Sequence, residues 1–177
     1  MEFPHVSEIL DLIDWGYKPI DPKVLNILAK YGTGLHKTLS KTTTGLKTRI
    51  AKKYRARADS LKEWMKENQF KTAISEFPIR YEITPSMGFC GTLDAIIQAP
   101  DLKTGEFELW DYKTGSFNKR HELQLAGYKL GYEFVTGNKI QRLRLVSPKK
   151  DGVMDLIVPD YSEHFLNLVK LYYTIKK

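Results

Sequence analysis

Cysteine is all but missing from this chain. Its one thiol, Cys90, has no second cysteine to pair with. An internal disulfide and a Cys-rich zinc or iron–sulfur site are therefore excluded. No apolar run approaches the roughly 20 residues needed to cross a bilayer, so no membrane partner is expected. The motor loop Gly-x-x-x-x-Gly-Lys-Ser/Thr does not occur either, which removes nucleotide-driven translocation. Internal repeats and low-complexity tracts are absent. The opening residues, Met1-Glu2-Phe3-Pro4-His5, lack the basic-then-apolar layout of a secretory signal and carry an early acid. A cytoplasmic setting, bacterial or in the host of a phage or virus, is the expectation.

What is present is ordinary globular composition with an uneven charge. The 177 residues are 42% hydrophobic and 28% charged, enough to bury a core in one domain, 1–177. Lys plus Arg is 28 against 21 for Asp plus Glu, a net +7. From Lys30 to Lys71 there are 12 basic and 3 acidic residues, a local +9, so the remainder carries −2. One segment is basic and the rest slightly acidic. That asymmetry suits a polyanion partner, or else marks a solvated basic helix. Its cations include Lys47, Arg49, Lys52, Lys53, Arg55 and Arg57.

Periodicity divides the chain into a helical part, 1–70, and a sheet-bearing part, 71–177. Val6, Ile9, Leu10 and Ile13 recur at helical spacing. Asp21-Pro22 is a helix opening, with an N-cap acid and proline at the first helical position. Gly32-Thr33-Gly34 is expected to interrupt or bend that helix. Thr44 or Gly45 is expected to open a long basic helix running to about Asn68, with Leu46, Ile50, Tyr54, Leu61 and Trp64/Met65 as its core stripe. Beyond Phe70 the pattern becomes strand-like. Segments 74–83, 89–97 and 106–113 are separated by turn residues, which predicts antiparallel pairing. Asn118 caps a helix over 119–134, with Gly137 at its end. Strands over 140–146 and 153–158 follow, then a helix over 162–175. This order predicts an α/β (α+β mixed) fold with one mixed sheet flanked by helices.

The chemistry concentrates at the ends of the second and third predicted strands. Residues two apart on a strand share a face, so Asp111 and Lys113 project together. A hairpin connection brings Asp94, of Gly91-Thr92-Leu93-Asp94, close to Asp111. Two adjacent carboxylates repel unless a proton or a cation intervenes. A hard divalent ion, Mg²⁺ or Mn²⁺, satisfies oxygen ligands of this kind. Such an ion binds phosphate oxygens and acidifies water, and Lys113 beside it stabilises developing negative charge. On the following helix Gln124 and Tyr128 lie four residues apart and share a face. Each of these pieces taken alone is equally a surface salt bridge or a core residue.

In order, Gly91-Thr92-Leu93-Asp94, Asp111-Tyr112-Lys113-Thr114-Gly115 and Gln124-Leu125-Ala126-Gly127-Tyr128 resemble the PD-(D/E)XK nuclease superfamily, most closely its RecB-like exonuclease branch. The match spans about residues 76–128. Tyr31-Gly32-Thr33-Gly34-Leu35-His36 is similar to that branch's Gly-x-x-x-His segment, and Ser75-Glu76-Phe77-Pro78 to its Glu-x-Pro strand. Glu82 competes locally with Glu76. Asp111 stands where many relatives carry Glu, and the four cysteines of the iron–sulfur relatives are lacking.

The resemblance implies a stand-alone, restriction-endonuclease-like core without a helicase. It implies a Mg²⁺- or Mn²⁺-dependent deoxyribonuclease, an exonuclease acting on DNA ends alongside recombination or replication proteins. Asp94, Asp111, the Tyr112 carbonyl and His36 would ligate the metal. Glu76 would assist through a water or a second metal, Lys113 would position the attacking water, Gln124 would orient the group, and Tyr128 would brace it or the DNA backbone. Tyr128, Lys47, Arg49, Lys52, Lys53, Arg55, Lys119 and Arg120 are the candidate nucleic-acid contacts. The alternative is a nucleic-acid-binding module with a nuclease-like fold and no turnover.

Overall fold

The computed structural model describes residues 2–17, 19–46 and 49–176. Its elements run α1 (Val6–Leu10), α2 (Pro22–Thr43), α3 (Lys52–Glu67), β1 (Lys71–Thr84), β2 (Met87–Gln98) and β3 (Phe107–Tyr112). They continue with α4 (Lys119–Thr136), β4 (Ile140–Lys149), β5 (Gly152–Val158) and α5 (Ser162–Ile175). The strands form one mixed sheet in sequence order, β1-β2-β3-β4-β5. Only β3 and β4 are parallel, because α4 intervenes between them and a parallel return needs a long crossover. The other neighbours are antiparallel. The fold is therefore the α/β arrangement expected from the element order. Among the described residues, no helix is long and apolar enough to cross a membrane.

Helices cover both faces. On one, Leu35, Leu39, Ala58 and Leu61 of α2 and α3 pack on Ala95, Trp110, Tyr112 and Val146. On the other, Val6 and Ile9 of α1, Leu125 and Tyr128 of α4, and Phe165 of α5 pack on Phe89, Leu93, Leu109 and Leu145. Each fully buried Val, Leu, Ile or Phe side chain among them contributes roughly 1.5–3 kcal/mol. The segment before α1 also lies along the sheet: Cys90 N–H donates to the Pro4 carbonyl at 3.0 Å, and His5 bridges Cys90. Cys90 is thereby a packed strand residue whose thiol contacts the Phe3 carbonyl.

Several expectations about the helical part are corrected. Gly32-Thr33-Gly34 does not break α2, which runs unbroken for 22 residues. Gly34 is there for close approach: a Cβ at that position would lie 2.1 Å from the Tyr54 hydroxyl. Gly45 closes α2 instead of opening the next helix. Its φ of 73° is left-handed, Gly45 N–H donates to Thr42 O, and Leu46 N–H donates to Lys41 O. That pair of bonds is a Schellman stop, which favours glycine. The basic helix consequently starts only at Lys52. Leu46 is exposed rather than part of a core stripe, and Ala58 takes a core position instead. The first helix is also shorter than its apolar pattern, ending at Leu10 with His5 as its cap.

Candidate active site

Strand β2 has 12 residues but pairs with β3 at only three positions, ending at Ala95–Trp110. Beyond that pair the two strands part. Asp94 sits at the point of separation, where its Oδ2 accepts the Tyr112 N–H at 2.7 Å. A side chain thus replaces the backbone partner that the diverging strand withdraws, since a buried N–H requires an acceptor. This one bond brings Asp94 beside Asp111. On the far side of β3, Lys113 N–H donates to the Val146 carbonyl at 2.8 Å, fixing the Asp-x-Lys segment against β4.

From α2, His36 Nδ1 reaches Asp94 Oδ1 at 3.1 Å. Lys113 Nζ lies 2.5 Å from Asp111 Oδ2 and donates to Gln124 Oε1 at 2.8 Å. Gln124 Nε2 donates to the Tyr128 hydroxyl at 2.7 Å. Tyr128 in turn packs on Gly91, where a Cβ would lie 3.0 Å from its ring. The Gly-x-x-Asp strand and the Gln-x-x-x-Tyr helix are therefore one packing unit. A tyrosine ring needs a bare backbone beneath it, and the glycine provides one.

The two carboxylates differ in electrostatics. Burial pushes Asp94 up, but the His36 ring, Lys113 and the Tyr112 N–H together hold it below the usual carboxylate range. Burial pushes Asp111 up to about 6; Lys113 offsets part of this and the Asp94 charge adds to it. Asp111 is 2% exposed. Its Oδ2 makes a close charge contact with Lys113 but no well-directed hydrogen bond. For His36, burial acts downward, and the charge and hydrogen bond of Asp94 outweigh it to raise the pKa. Burial, Lys113 and Arg120 lower His121 to about 4, so its ring is neutral at pH 7.

Glu76 occupies β1 between the Ser75–Ala95 and Phe77–Leu93 pairs, the register position across from Asp94. Its φ of 50° is left-handed, a strained conformation for a non-glycine residue in a strand. Glu82 instead pairs with Arg80 at 3.6 Å, six residues further along. Ser75 is a member that sequence reasoning missed. Its hydroxyl donates to the Asp94 carbonyl at 3.3 Å and lies 2.7 Å from Ser40 Oγ of α2. Its only sequence signal is adjacency to Glu76.

Two candidate nucleic-acid contacts are corrected. Tyr128 is 4% exposed; it braces Gln124 and does not reach a bound strand. Arg120 is spent internally, on Asp11 at 2.7 Å and the Ser7 carbonyl at 3.3 Å, and so ties α1 to α4. Lys119 pairs with Glu122 at 2.8 Å and lies over the Tyr161 ring, yet its side chain is 68% exposed and stays within reach of a polyanion. Arg49, Lys52, Lys53 and Arg55 are exposed and free to meet a polyanion. Lys47 lies outside the described residues. Tyr54 and Trp64 are packed in the core with Tyr31, Phe70 and Trp110.

No group of three or more His, Cys, Asp or Glu side chains stands ready to hold a metal ion among the described residues. The donor chemistry nevertheless fits a hard divalent cation. Two carboxylates converge, one of them buried with Lys113 as the sole cation against its Oδ2 and a proton affinity above normal. A cation there would neutralise the charge that Lys113 alone leaves uncompensated.

No protein-family profile matches the chain, and no curated protein matches it in sequence. Twenty-four chains of solved structures match in three dimensions. One, described as "Crystal structure of SSO0001", is 15% identical, over 97% of this chain and 84% of that one, with a TM-score of 0.45. Nothing about activity follows from that likeness.

Proposed function

We propose that this chain is a Mg²⁺- or Mn²⁺-dependent deoxyribonuclease of the RecB-like type, hydrolysing phosphodiester bonds from DNA ends. The observation that carries the reading is Asp111, a buried carboxylate beside Asp94 whose Oδ2 has no directed hydrogen bond. Asp94, Asp111, the Tyr112 carbonyl and His36 would hold the ion. When bound, it supplies an electrophilic contact to a phosphate oxygen and lowers the pKa of a water.

The remaining work belongs to side chains. Lys113, held between Asp111 and Gln124, presents an ammonium proton to the phosphate oxygen on which charge develops. Gln124, fixed by the buried Tyr128, keeps that ammonium aimed without a rotamer search. Glu76, across from Asp94, accepts the proton of the attacking water. Arg49, Lys52, Lys53 and Arg55 draw the phosphate backbone in through sequence-independent contacts.

A second reading, a nucleic-acid-binding module without turnover, draws on the exposed cations Arg49, Lys52, Lys53 and Arg55 alone. End-labelled linear DNA beside a closed circle, with Mg²⁺, Mn²⁺ or EDTA, separates the two. The expected result is metal-dependent loss of the linear DNA alone, abolished in Asp111→Asn. Salt-sensitive binding with no cleavage under any metal would establish the module instead.

A further inference from the structure

Helix α4 opens on three basic residues in a row, and the fold treats them differently. Lys119 pairs with Glu122, and Arg120 with Asp11. The His121 backbone N–H donates to the Asn118 side chain at 3.2 Å, but its ring has no hydrogen-bond partner among the described residues. Nδ1 is buried and bare. Nε2 is likewise unpartnered but keeps solvent access, on a ring that is half-buried overall. A polar ring left in this state forfeits hydrogen bonding that folding does not return. Neither the metal-ligand set nor the bracing of Lys113 uses it.

Helical spacing puts this ring on the working side of α4. His121, Gln124 and Tyr128 stand at i, i+3 and i+7, which is one face, and Gln124 accepts from Lys113 there. The charged groups that act on the ring are Lys113 and Arg120, with no carboxylate among them. Two cations and no acid keep the ring neutral and make its surroundings favourable to an anion. Along the helix axis His121 lies about 4.5 Å from Gln124, at about 1.5 Å per residue. A DNA strand advances about 3.4 Å along the duplex axis per phosphate, so the two side chains are spaced about one phosphate apart.

Deepening the nuclease reading above, we infer that His121 donates its Nε2–H to the DNA phosphate next to the one Lys113 faces. A bare buried acceptor is better tolerated than an orphaned N–H. The proton therefore sits on Nε2, the nitrogen that meets solvent, and the ring is a neutral donor. Such a donor displaces no counterion, so the contact adds affinity without adding salt dependence.

The test is binding of a short fluorescein-labelled DNA single strand to the full chain in EDTA, where hydrolysis does not compete. His121→Ala is expected to raise Kd about tenfold, the worth of one hydrogen bond, with the slope of log K against log salt unchanged. Lys52→Ala, by contrast, is expected to reduce that slope by about 1. His121→Gln keeps an N–H donor and is expected to recover most of the loss. In wild-type protein carrying isotope-labelled histidine, the His121 Nε2 resonance is expected to move when the strand is added, which needs no variant to fold. Wild-type affinity in His121→Ala overturns the inference, as does a ring resonance that the strand leaves unmoved or a wild type that does not bind. A strand held through His121 but never cut under Mg²⁺ or Mn²⁺ removes the nuclease reading alone. Metal-dependent cutting with an unmoved ring resonance removes the His121 contact alone.

Discussion

Strand β3 carries two buried carboxylates three residues apart, and the fold treats them in opposite ways. Glu108 has no exposure, and its oxygens take four hydrogen bonds. These come from Trp110 Nε1 at 2.7 Å, Arg142 Nη1 at 2.6 Å, and Arg144 at 2.8 and 3.1 Å. Arg142 and Arg144 are themselves held by Asp101 and Asp155. Asp111, on the opposite face, has one lysine and an oxygen without a directed bond. The first is a completed structural network spanning β3, β4 and β5. The second is incomplete. A buried carboxylate compensated only in part by its own fold costs stability, and such a cost persists where a ligand or a reaction uses it.

If that contrast is right, the two carboxylates separate activity from stability. Asp111→Asn is expected to reduce DNA cleavage by about 10³-fold or more, as loss of a main charge-stabilising group does, with the melting temperature unchanged or higher. Mg²⁺ should raise the melting temperature of the wild type but not of this variant. Near wild-type turnover would end the mechanism. Glu108→Ala is expected to do the reverse. It removes the buried partner that Arg142 and Arg144 share, leaving them Asp101 and Asp155 alone, and should cost about 3–5 kcal/mol in urea unfolding, while the folded fraction still cleaves. A loss under 1 kcal/mol would mean the network is not what holds the three strands together.

The pH dependence sharpens the same comparison. Asp111's folded pKa of about 6 stands above its ordinary value of 3.8. Between these values the native state therefore holds more proton than the unfolded state. Stability contributed by this group then falls as pH rises through that window. Asp111→Asn removes the fall, so its advantage over wild type should grow from near zero below pH 4 to on the order of 2–3 kcal/mol above pH 6. A difference that is flat with pH would show Asp111 to be ordinarily compensated.

Smaller effects test the bracing. Gln124→Ala frees Lys113 and leaves the Tyr128 hydroxyl without its donor. It is expected to lower kcat about 10–100-fold through misorientation, with KM for DNA little changed. Gly91→Ala sets a methyl 3.0 Å from the Tyr128 ring. It should cost about 1 kcal/mol as the ring shifts, with a modest drop in cleavage. If Gly91→Ala is silent in both measurements, the strand and the motif helix are not coupled through that contact.

Much of the candidate site was legible because it is written in short-range spacing. Asp111 and Lys113 share a face by strand alternation, and Gln124 reaches Tyr128 by one helical turn. The capping of α2 by Asp21 and of α4 by Asn118 was equally local. Gly45 was misread because an opening and a closing glycine look alike until the bonds to Lys41 and Thr42 are seen. Arg120's internal role and the choice between Tyr128's two roles were hidden because their partners, Asp11 and Gly91, lie 109 and 37 residues away in sequence. Glu108 drew no notice at all, since nothing in Phe107-Glu108-Leu109-Trp110 announces two arginines on the neighbouring strand.

The sequence by itself determined the element types, their order, the basic character of the segment from Lys30 to Lys71 and the ordered set of acidic, lysine and glutamine residues. Periodicity and capping act over a few residues, and a linear reading can see them. Only the tertiary structure decided which charges are completed and which are not. It set the parting of β2 from β3 that seats Asp94, the strain at Glu76, the full bonding of Glu108 and the exposure of the first half of α2. Burial and hydrogen-bond satisfaction are properties of surroundings assembled from distant segments, so the same residue types end as fixed structure at one end of β3 and as a candidate reaction centre at the other.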